Sequence, residues 1–599
     1  MYLKEIKTNF RIFVITTIFI VSLLTAMNFL IMTNLSMKTN NNSPIFKLDT
    51  ILNTQADVDS LTDNWSITDH ILISPNENIE TTITNFSMPA LKDIQIDASG
   101  YTVNITFQDC NFTRTVYITD DAAVNFYNCL FDGSFRLGND TSDSPSVIIE
   151  DSTFEGAFQT HNFIGSSQLT GLYLKINNSL FNQTVNPESG FIGIISATGN
   201  VIISETNITN GIEISNTNNL DITDCIIGSN VQSATVNFQG IKADDIWILN
   251  INNCEIKSDT SSSDDQGLMI ANSQTVNLQN TDISEKMVLD TIQIGNLLEF
   301  SVDESITIDS SGQIDLKDLL TSFSLLDITS SDVDISNISV SDINIHGTQQ
   351  TINLSTNLFI TDDFSIDATS LTTINLDNVT ISDKFETSVE TTQTVYLNIN
   401  DCDILQDLIL KGSVMTTLTN SLINDTMEVY STPTASTSIE NTAISTLNDY
   451  VNPSLTLQSS LITHTYDSMT DKTKRIICAW TGSDNIIGTD YNVSYNIKIT
   501  KNGMTIYDQN ISDSTYSFDA TVGDSYLIYI TTIDALNNTS TQKIITVSMT
   551  PTYGTAMMLA IIILSSVSGA LVAVAYYFLY YRAKNKWKKT EIVSIPKGK

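Results

Sequence analysis

The chain has 599 residues, too many for one ordinary hydrophobic core, so it is expected to be several domains or a repeat array. It carries 67 acidic against 28 basic residues, a formal net charge of −39. That balance argues against nucleic acid as a partner and favours cations, with Ca²⁺ a candidate that no motif supports; plain solubility at a crowded surface is the simpler reading.

Ile12 to Met32 form a nearly uncharged apolar run preceded by Lys4, Lys7 and Arg11. A basic start followed by such a run is a secretory signal, and this one is long enough to stay in the membrane as an anchor. No clean small-x-small cleavage site follows. Residues 1–32 are therefore a signal peptide or a signal anchor, and 33–45 a linker.

The next segment repeats. VNFYNCLF (124–131), LDITDCII (220–227), LNINNCEI (249–256) and LNINDCDI (397–404) share one frame: apolar, any, apolar, any, Asn or Asp, Cys, any, apolar. The frame recurs from Ile105, and without the cysteine from Val147, Leu174, Val201, Val276, Leu326, Ile374, Thr416, Thr437 and Leu455. Most spacings run from 18 to 29 residues; the gaps of 50 and 48 around Leu326 read as two turns each. This is a solenoid period.

Apolar positions one and three lie on the same face of a strand but on opposite faces of a helix, so the repeat is β. Position eight is also apolar, an odd number of steps from position three, so the chain must bend between them. Position five is that bend: it is Asn or Asp in 11 of 14 copies, residues that tolerate left-handed geometry. Stacked turn on turn, these side chains can bond along the axis as an amide ladder. A further apolar residue follows position eight by four, as in Phe112 to Val116 and Phe131 to Phe135, and marks the next wall.

Five of the six cysteines (Cys110, Cys129, Cys225, Cys254 and Cys402) occupy position six. Cys110 and Cys129 fall on successive turns, as do Cys225 and Cys254. Turns about 4.8 Å apart are within disulfide reach, so each pair is expected either bridged or stacked as buried thiols. Zinc is a poor alternative, because no histidine shares the spacing.

The frame resembles the right-handed parallel β-helix repeat of the pectin-lyase-like families, and DIQIDASGYTVNIT (93–106) is similar to their entry turn. The resemblance covers roughly 46–466 and implies an all-β solenoid with Phe112, Phe131, Phe154 and Phe181 stacked inside. About sixteen turns at about 4.8 Å would make a rod of roughly 75 Å.

Residues 467–474 read as a linker. Beyond them, alternating strands, an Asn502-Gly503 hairpin turn and Trp480 predict a small β-sandwich over 475–549. Val522-Gly523-x-x-Tyr526 resembles the tyrosine-corner region of fibronectin type III and related Ig-like domains, which implies Trp480 and Tyr526 in its core and no catalytic residues. Cys478 has no evident partner there.

Thr555 to Tyr581 carry no charge and predict a transmembrane helix, with Tyr576 to Tyr581 crowding one interface. Ser565, Gly569 and Ala573 form a small-residue stripe of the kind that packs helices, although composition alone explains it more often. The basic tail, 582–599, should be cytoplasmic. One or two membrane passes then leave the bulk of the chain extracellular, with 18 basic against 65 acidic residues, a net of −47. The sequence holds 18 Asn-x-Ser/Thr sequons. Candidate glycosylation sites are Asn64, Asn85, Asn104, Asn111, Asn139, Asn177, Asn182, Asn207, Asn337, Asn353, Asn378, Asn424, Asn492, Asn510, Asn537 and Asn538.

Several β-helix families cleave polysaccharides, and glycoside hydrolysis needs two placed carboxylates. Candidates are Asp120-Asp121, Asp244-Asp245, Asp264-Asp265 and Asp362-Asp363, ordinary finds in so acidic a chain. Polygalacturonases add Gly-His-Gly and Arg-x-Lys motifs. Here only His346-Gly347 is present, and Arg114 and Arg136, one turn apart, are more simply solvated arginines. No catalytic residue is assigned and no cofactor is implied. The expectation is a non-enzymatic cell-surface protein for adhesion, glycan binding or coat building; the alternative is a tethered polysaccharide lyase or glycoside hydrolase.

Overall fold

A computed structural model describes residues 50–590, apart from 62–69, 89–91, 99, 139–142, 161–168, 170, 183–190, 196–198, 229–239, 258–265, 348–349, 369–371, 390–393, 432–434, 459–472, 489 and 549–554. The N-terminal apolar run and the linker after it lie outside the described residues. The protein is all-β, a right-handed parallel solenoid with small additional sheets and one C-terminal helix. It forms two compact units that divide between Met287 and Val288.

In the first unit, the octet strands stack in parallel and in register, from Ile79–Thr84 on Val103–Gln108 through to Ile248–Asn252 on Thr275–Gln279. Positions seven and eight form a second wall of two-residue strands, such as Asn111–Phe112 on Leu130–Phe131. The apolar residue four steps on opens the third, where Val116–Thr119 pairs with Phe135–Leu137. Stacking begins ahead of the first octet, at Thr50–Leu52 on Ile71–Ile73. A short helix, Gln55–Asp59, follows, held by a capping box in which Thr54 accepts from Asp57 N–H and the Asp57 carboxylate accepts from Thr54 N–H.

The bends adopt the predicted backbone. Asp109, Asn128, Asp151, Asn178, Asp224, Asn253 and Asn280 all have φ between +46° and +57°, and so does Glu205 at +51°. Side chains then bond up the axis: the Asn128 amide donates to Asp109 at 2.6 Å, Asn178 to Asp151 at 2.5 Å, and Asn253 to Asp224. Inside, Phe112, Phe131, Phe154 and Phe181 stack as expected, with the Phe131–Phe154 rings 4.3 Å apart and 3° from parallel. Phe135 and Phe158 form a parallel pair edge-on to this column. All six are fully buried, so each contributes about 1.5–3 kcal/mol by burial, with ring contacts adding about 0.5–1.5 kcal/mol per pair.

The second unit corrects the repeat at two places. The octet is not framed on Leu326. That residue pairs with Ile306 and Ile343 on another wall, while the bend-bearing strands run Gly295, Ile314, Val333, Ile352, Ile374. Glycine at position one of the first of these erased the apolar signal, and Leu326-Asp327-Ile328 supplied a false alternation. The true bends are Glu299, Asp318 and Asn337, all with positive φ, whereas residue 330 lies within the strand Phe323–Ser336. The octet at Leu455 also fails to stack: Ser454–Leu457 pairs antiparallel with Thr473–Ser483. The rung laid on Thr437–Ser438 is instead Ile486–Ile487, delivered by the following module.

That module has a three-stranded sheet (Ser454–Leu457, Thr473–Ser483, Thr515–Thr521) and a four-stranded one (Met504–Ile511, Ser494–Lys501, Ser525–Ile533, Lys543–Ser548). One apolar cluster joins both sheets, with Trp480 and Tyr526 each 1 % exposed. A single helix, Thr555–Thr590, ends the described chain. Within it, Leu559–Arg582 is long and apolar enough to cross a membrane, and its side chains are exposed throughout.

Candidate functional site

The sequence-derived catalytic candidates disperse. Asp244 and Asp245 sit on the long strand Gly240–Asn252, where Asp244 accepts from the Asn272 amide at 2.8 Å. Asp264-Asp265 lies outside the described residues. Arg136 is in register with Tyr117 and Gln159, and Arg114 lies two residues before that register, against Gly133; the two arginines do not form one site. His346 is exposed beside Asp327, 3.7 Å away.

Asp362-Asp363 is the pair that gains neighbours. Oxygens of Asp362, Asp363 and Asp383 lie within 4.8 Å of one another, and repulsion from Asp342 raises the Asp362 carboxyl above its usual range. Asp362 and Asp363 are exposed, so this cluster is open to solvent.

All six cysteines are buried free thiols. Cys110 and Cys129 make a direct side-chain contact, as do Cys225 and Cys254, and the contact raises Cys129 and Cys225 while lowering their partners. Position six has a wider logic that cysteine alone did not reveal. Ser152, Ser179, Thr206, Thr281 and Ser421 occupy it on other turns, and each hydroxyl donates to the carbonyl two residues back. Several also accept the position-six N–H of the preceding turn, as Ser152 does from Cys129 and Ser421 from Cys402, both at 3.1 Å. The thiols donate the same way, Cys402 to Asn400 at 3.1 Å. The step wants a small side chain with one hydrogen, and the Ser/Thr copies were readable in the sequence.

Of the sequon asparagines, Asn85, Asn337, Asn378, Asn424, Asn492, Asn510 and Asn537 are exposed. Asn104, Asn111, Asn177, Asn182, Asn207, Asn353 and Asn538 are half-buried, and Asn64 and Asn139 lie outside the described residues. The Asn353 amide is fully engaged, donating to Asp334 and accepting from Asn375.

On the outside of the second unit, Lys411 is in register with Tyr430, whose ring stacks on Tyr450 at 4.4 Å and 6°. The Lys411 ammonium lies 5.9 Å from the Tyr430 ring centre, and the Tyr430 hydroxyl donates to Glu428 at 3.1 Å. Both rings are exposed, at 41 % and 54 %. Desolvation, with Tyr450 and Glu428 adding to it, pushes the Tyr430 phenol up to about 12.

One cluster went unread in the sequence. Asp449 ends the strand Ala443–Asp449, Asp484 follows Thr473–Ser483, and Asp534 follows Ser525–Ile533. Their carboxylate oxygens come within 4.8 Å of one another. One oxygen of each buried acid is fixed by backbone: Asp449 Oδ1 accepts from Val451 N–H at 2.9 Å, and Asp534 Oδ1 from Leu536 and Asn538 N–H at 2.9 and 2.8 Å. The second oxygens of Asp449 and Asp534 are buried with no partner, as is the Asn485 side-chain oxygen. Burial, then Asp449 and Asp534, push the Asp484 carboxyl up to about 7. The three residues are too far apart in sequence for any local motif to join them.

No known protein family, no curated protein and no solved structure matches this chain. What the fold itself defines is a parallel β-solenoid followed by a small antiparallel module and an apolar helix.

Proposed function

We propose that this chain is a membrane-anchored cell-surface protein that holds a β-solenoid outside the cell to bind glycan, without chemistry on it. The helix carries the anchoring. From Leu559 to Tyr581 its large apolar side chains are half or more exposed, a surface that water does not tolerate and lipid does. Basic residues immediately after it favour a cytoplasmic tail and an extracellular solenoid.

The Tyr430–Tyr450 stack beside Lys411 and Glu428 supports the glycan reading. It offers flat apolar faces with polar groups at the rim, which suits a sugar ring. The module before the helix is read as a fibronectin type III or Ig-like spacer. In support, the Tyr526 hydroxyl accepts from Thr521 N–H at 2.9 Å, five residues upstream, as a tyrosine corner does.

A glycan array probed with the detergent-solubilised full chain tests this. Binding that falls when Tyr450 is changed to Ala is expected. A second reading, glycoside hydrolysis, rests on the Asp362, Asp363 and Asp383 carboxylates. Release of reducing sugar or unsaturated uronide, abolished by Asp363→Asn, would replace the first reading with the second.

A further inference from the structure

We infer that Asp449, Asp484 and Asp534 hold one divalent cation, of the Ca²⁺ class, at the joint between the solenoid's last strands and the module before the helix. The inference does not depend on what the solenoid binds.

The residues come from three places. Asp449 ends a solenoid strand paired in parallel with Leu422–Ser431. Asp484 lies between a sandwich strand and Ile486–Ile487, the rung that the module lays on the solenoid. Asp534 closes a strand of the four-stranded sheet. Asn538 ties the same joint, donating its amide to the Asp449 carbonyl at 2.7 Å.

Three carboxylates brought this close repel one another unless something positive stands between them. Among the described residues no lysine or arginine pairs with any of the three. Asp449 and Asp534 are only 7 % and 4 % exposed, yet each leaves one oxygen without a partner, and so does Asn485 at 2 %. Orphaned buried polar atoms are costly, and three at one joint need an explanation. The backbone amides already hold the other carboxylate oxygens, so the free ones are preset rather than collapsed onto each other. The convergent donors are three carboxylates, all oxygen, which selects a hard cation, and the Asn485 amide N–H steadies Asp449 Oδ1 at 3.2 Å. Ca²⁺ accepts six to eight such ligands in adaptable geometry, with water completing the shell. The exposed Asp362 cluster has the same number of acids but no buried orphaned oxygen, and carries no such inference.

The test uses the full chain in detergent, dialysed against EGTA and then against radioactive Ca²⁺. About one bound ion per chain is expected, with dissociation constant on the order of 10⁻⁴–10⁻³ M as in extracellular modules. The thermal midpoint should rise on binding. Asp484→Asn, in a half-buried turn, should keep the β-rich circular dichroism spectrum while weakening binding about tenfold or more, because ligand charge sets affinity. Asp362→Asn should bind as wild type does. No bound ion and an unchanged midpoint would overturn the inference, as would loss of the ion in Asp362→Asn rather than Asp484→Asn. Equal binding and stabilisation by Mg²⁺ would overturn the calcium assignment.

Discussion

Asn337 donates its side-chain amide to the Asp318 carboxylate, 19 residues earlier and one turn below, at 2.5 Å. Both residues sit in left-handed backbone, with φ of +55° and +56°. One residue type thus meets two demands: Asn accepts the strained bend and supplies a donor, and Asp, just below, supplies the acceptor. The same Asn-over-Asp order recurs at 128 over 109, 178 over 151 and 253 over 224. A column of only carboxylates would repel along the axis.

The bend and the bond separate by substitution. Asn337→Gly keeps the backbone but loses the amide, an expected cost of about 1 kcal/mol. Asn337→Val adds about 1–2 kcal/mol more, because a β-branched residue resists positive φ. Thermal midpoints should rank wild type, Gly, Val. Equal midpoints for the two variants would show that the bend is not what Asn337 provides. Ranking is the appropriate readout, since repeat arrays need not unfold in two states.

The phenylalanine column makes a larger demand. Phe154 is fully buried and stacks on Phe131 below and Phe181 above, at 4.3 and 4.5 Å. Phe154→Ala should cost about 3–5 kcal/mol, the range for a deleted aromatic in a packed core, and Phe154→Leu clearly less. Chemical denaturation of the two variants checks this. A loss under about 1 kcal/mol for the alanine would mean the neighbouring rungs close the gap.

How much of this was legible depended on whether a feature repeats. The bend at position five was readable because Asn128, Asp151 and Asn178 return at a fixed step, and the coil brings equal steps together. The register failed between Val276 and Ile374, where Gly295 hid one turn and Leu326 imitated another. The last rung was unreadable for a different reason: Ile486–Ile487 comes from beyond the end of the repeat. Asp449, Asp484 and Asp534 likewise owe their meeting to the joint between two architectures. Periodicity says nothing about such a joint.

Cys402 and Cys478 should be inert in the native protein. Each thiol is buried and desolvated, which pushes it up to about 11, so little thiolate exists near neutral pH. An aromatic disulfide reagent at pH 8 should leave both unmodified, as read by peptide mass, and label both in guanidinium. Cys402→Ser should be well tolerated, since serine fills this step on other turns with the same donor to the carbonyl two residues back. Fast native labelling of Cys402 would mean that the solenoid wall opens there.

The Asp484 carboxyl gives a pH dependence whose sign is fixed. Its native pKa stands at about 7, above the ordinary value near 3.9 of an unfolded aspartate. Between roughly pH 4 and 7 the native state therefore holds a proton that the unfolded state has released. Stability from this group is greatest at the acid end and declines as pH rises through that window. Carboxylates that favour the native state when ionised, such as Glu386 beside Lys384 and Lys411, act in the opposite sense, and their gain is largely complete by about pH 5. In EGTA, the thermal midpoint should accordingly fall from pH 5 to 7.5 for wild type and much less for Asp484→Asn, which cannot ionise. Ca²⁺ at pH 7.5 should restore the wild-type midpoint and leave the variant nearly unmoved. Parallel pH curves for the two proteins would show that Asp484 does not titrate in this range. The electrostatic account of the joint would then be wrong.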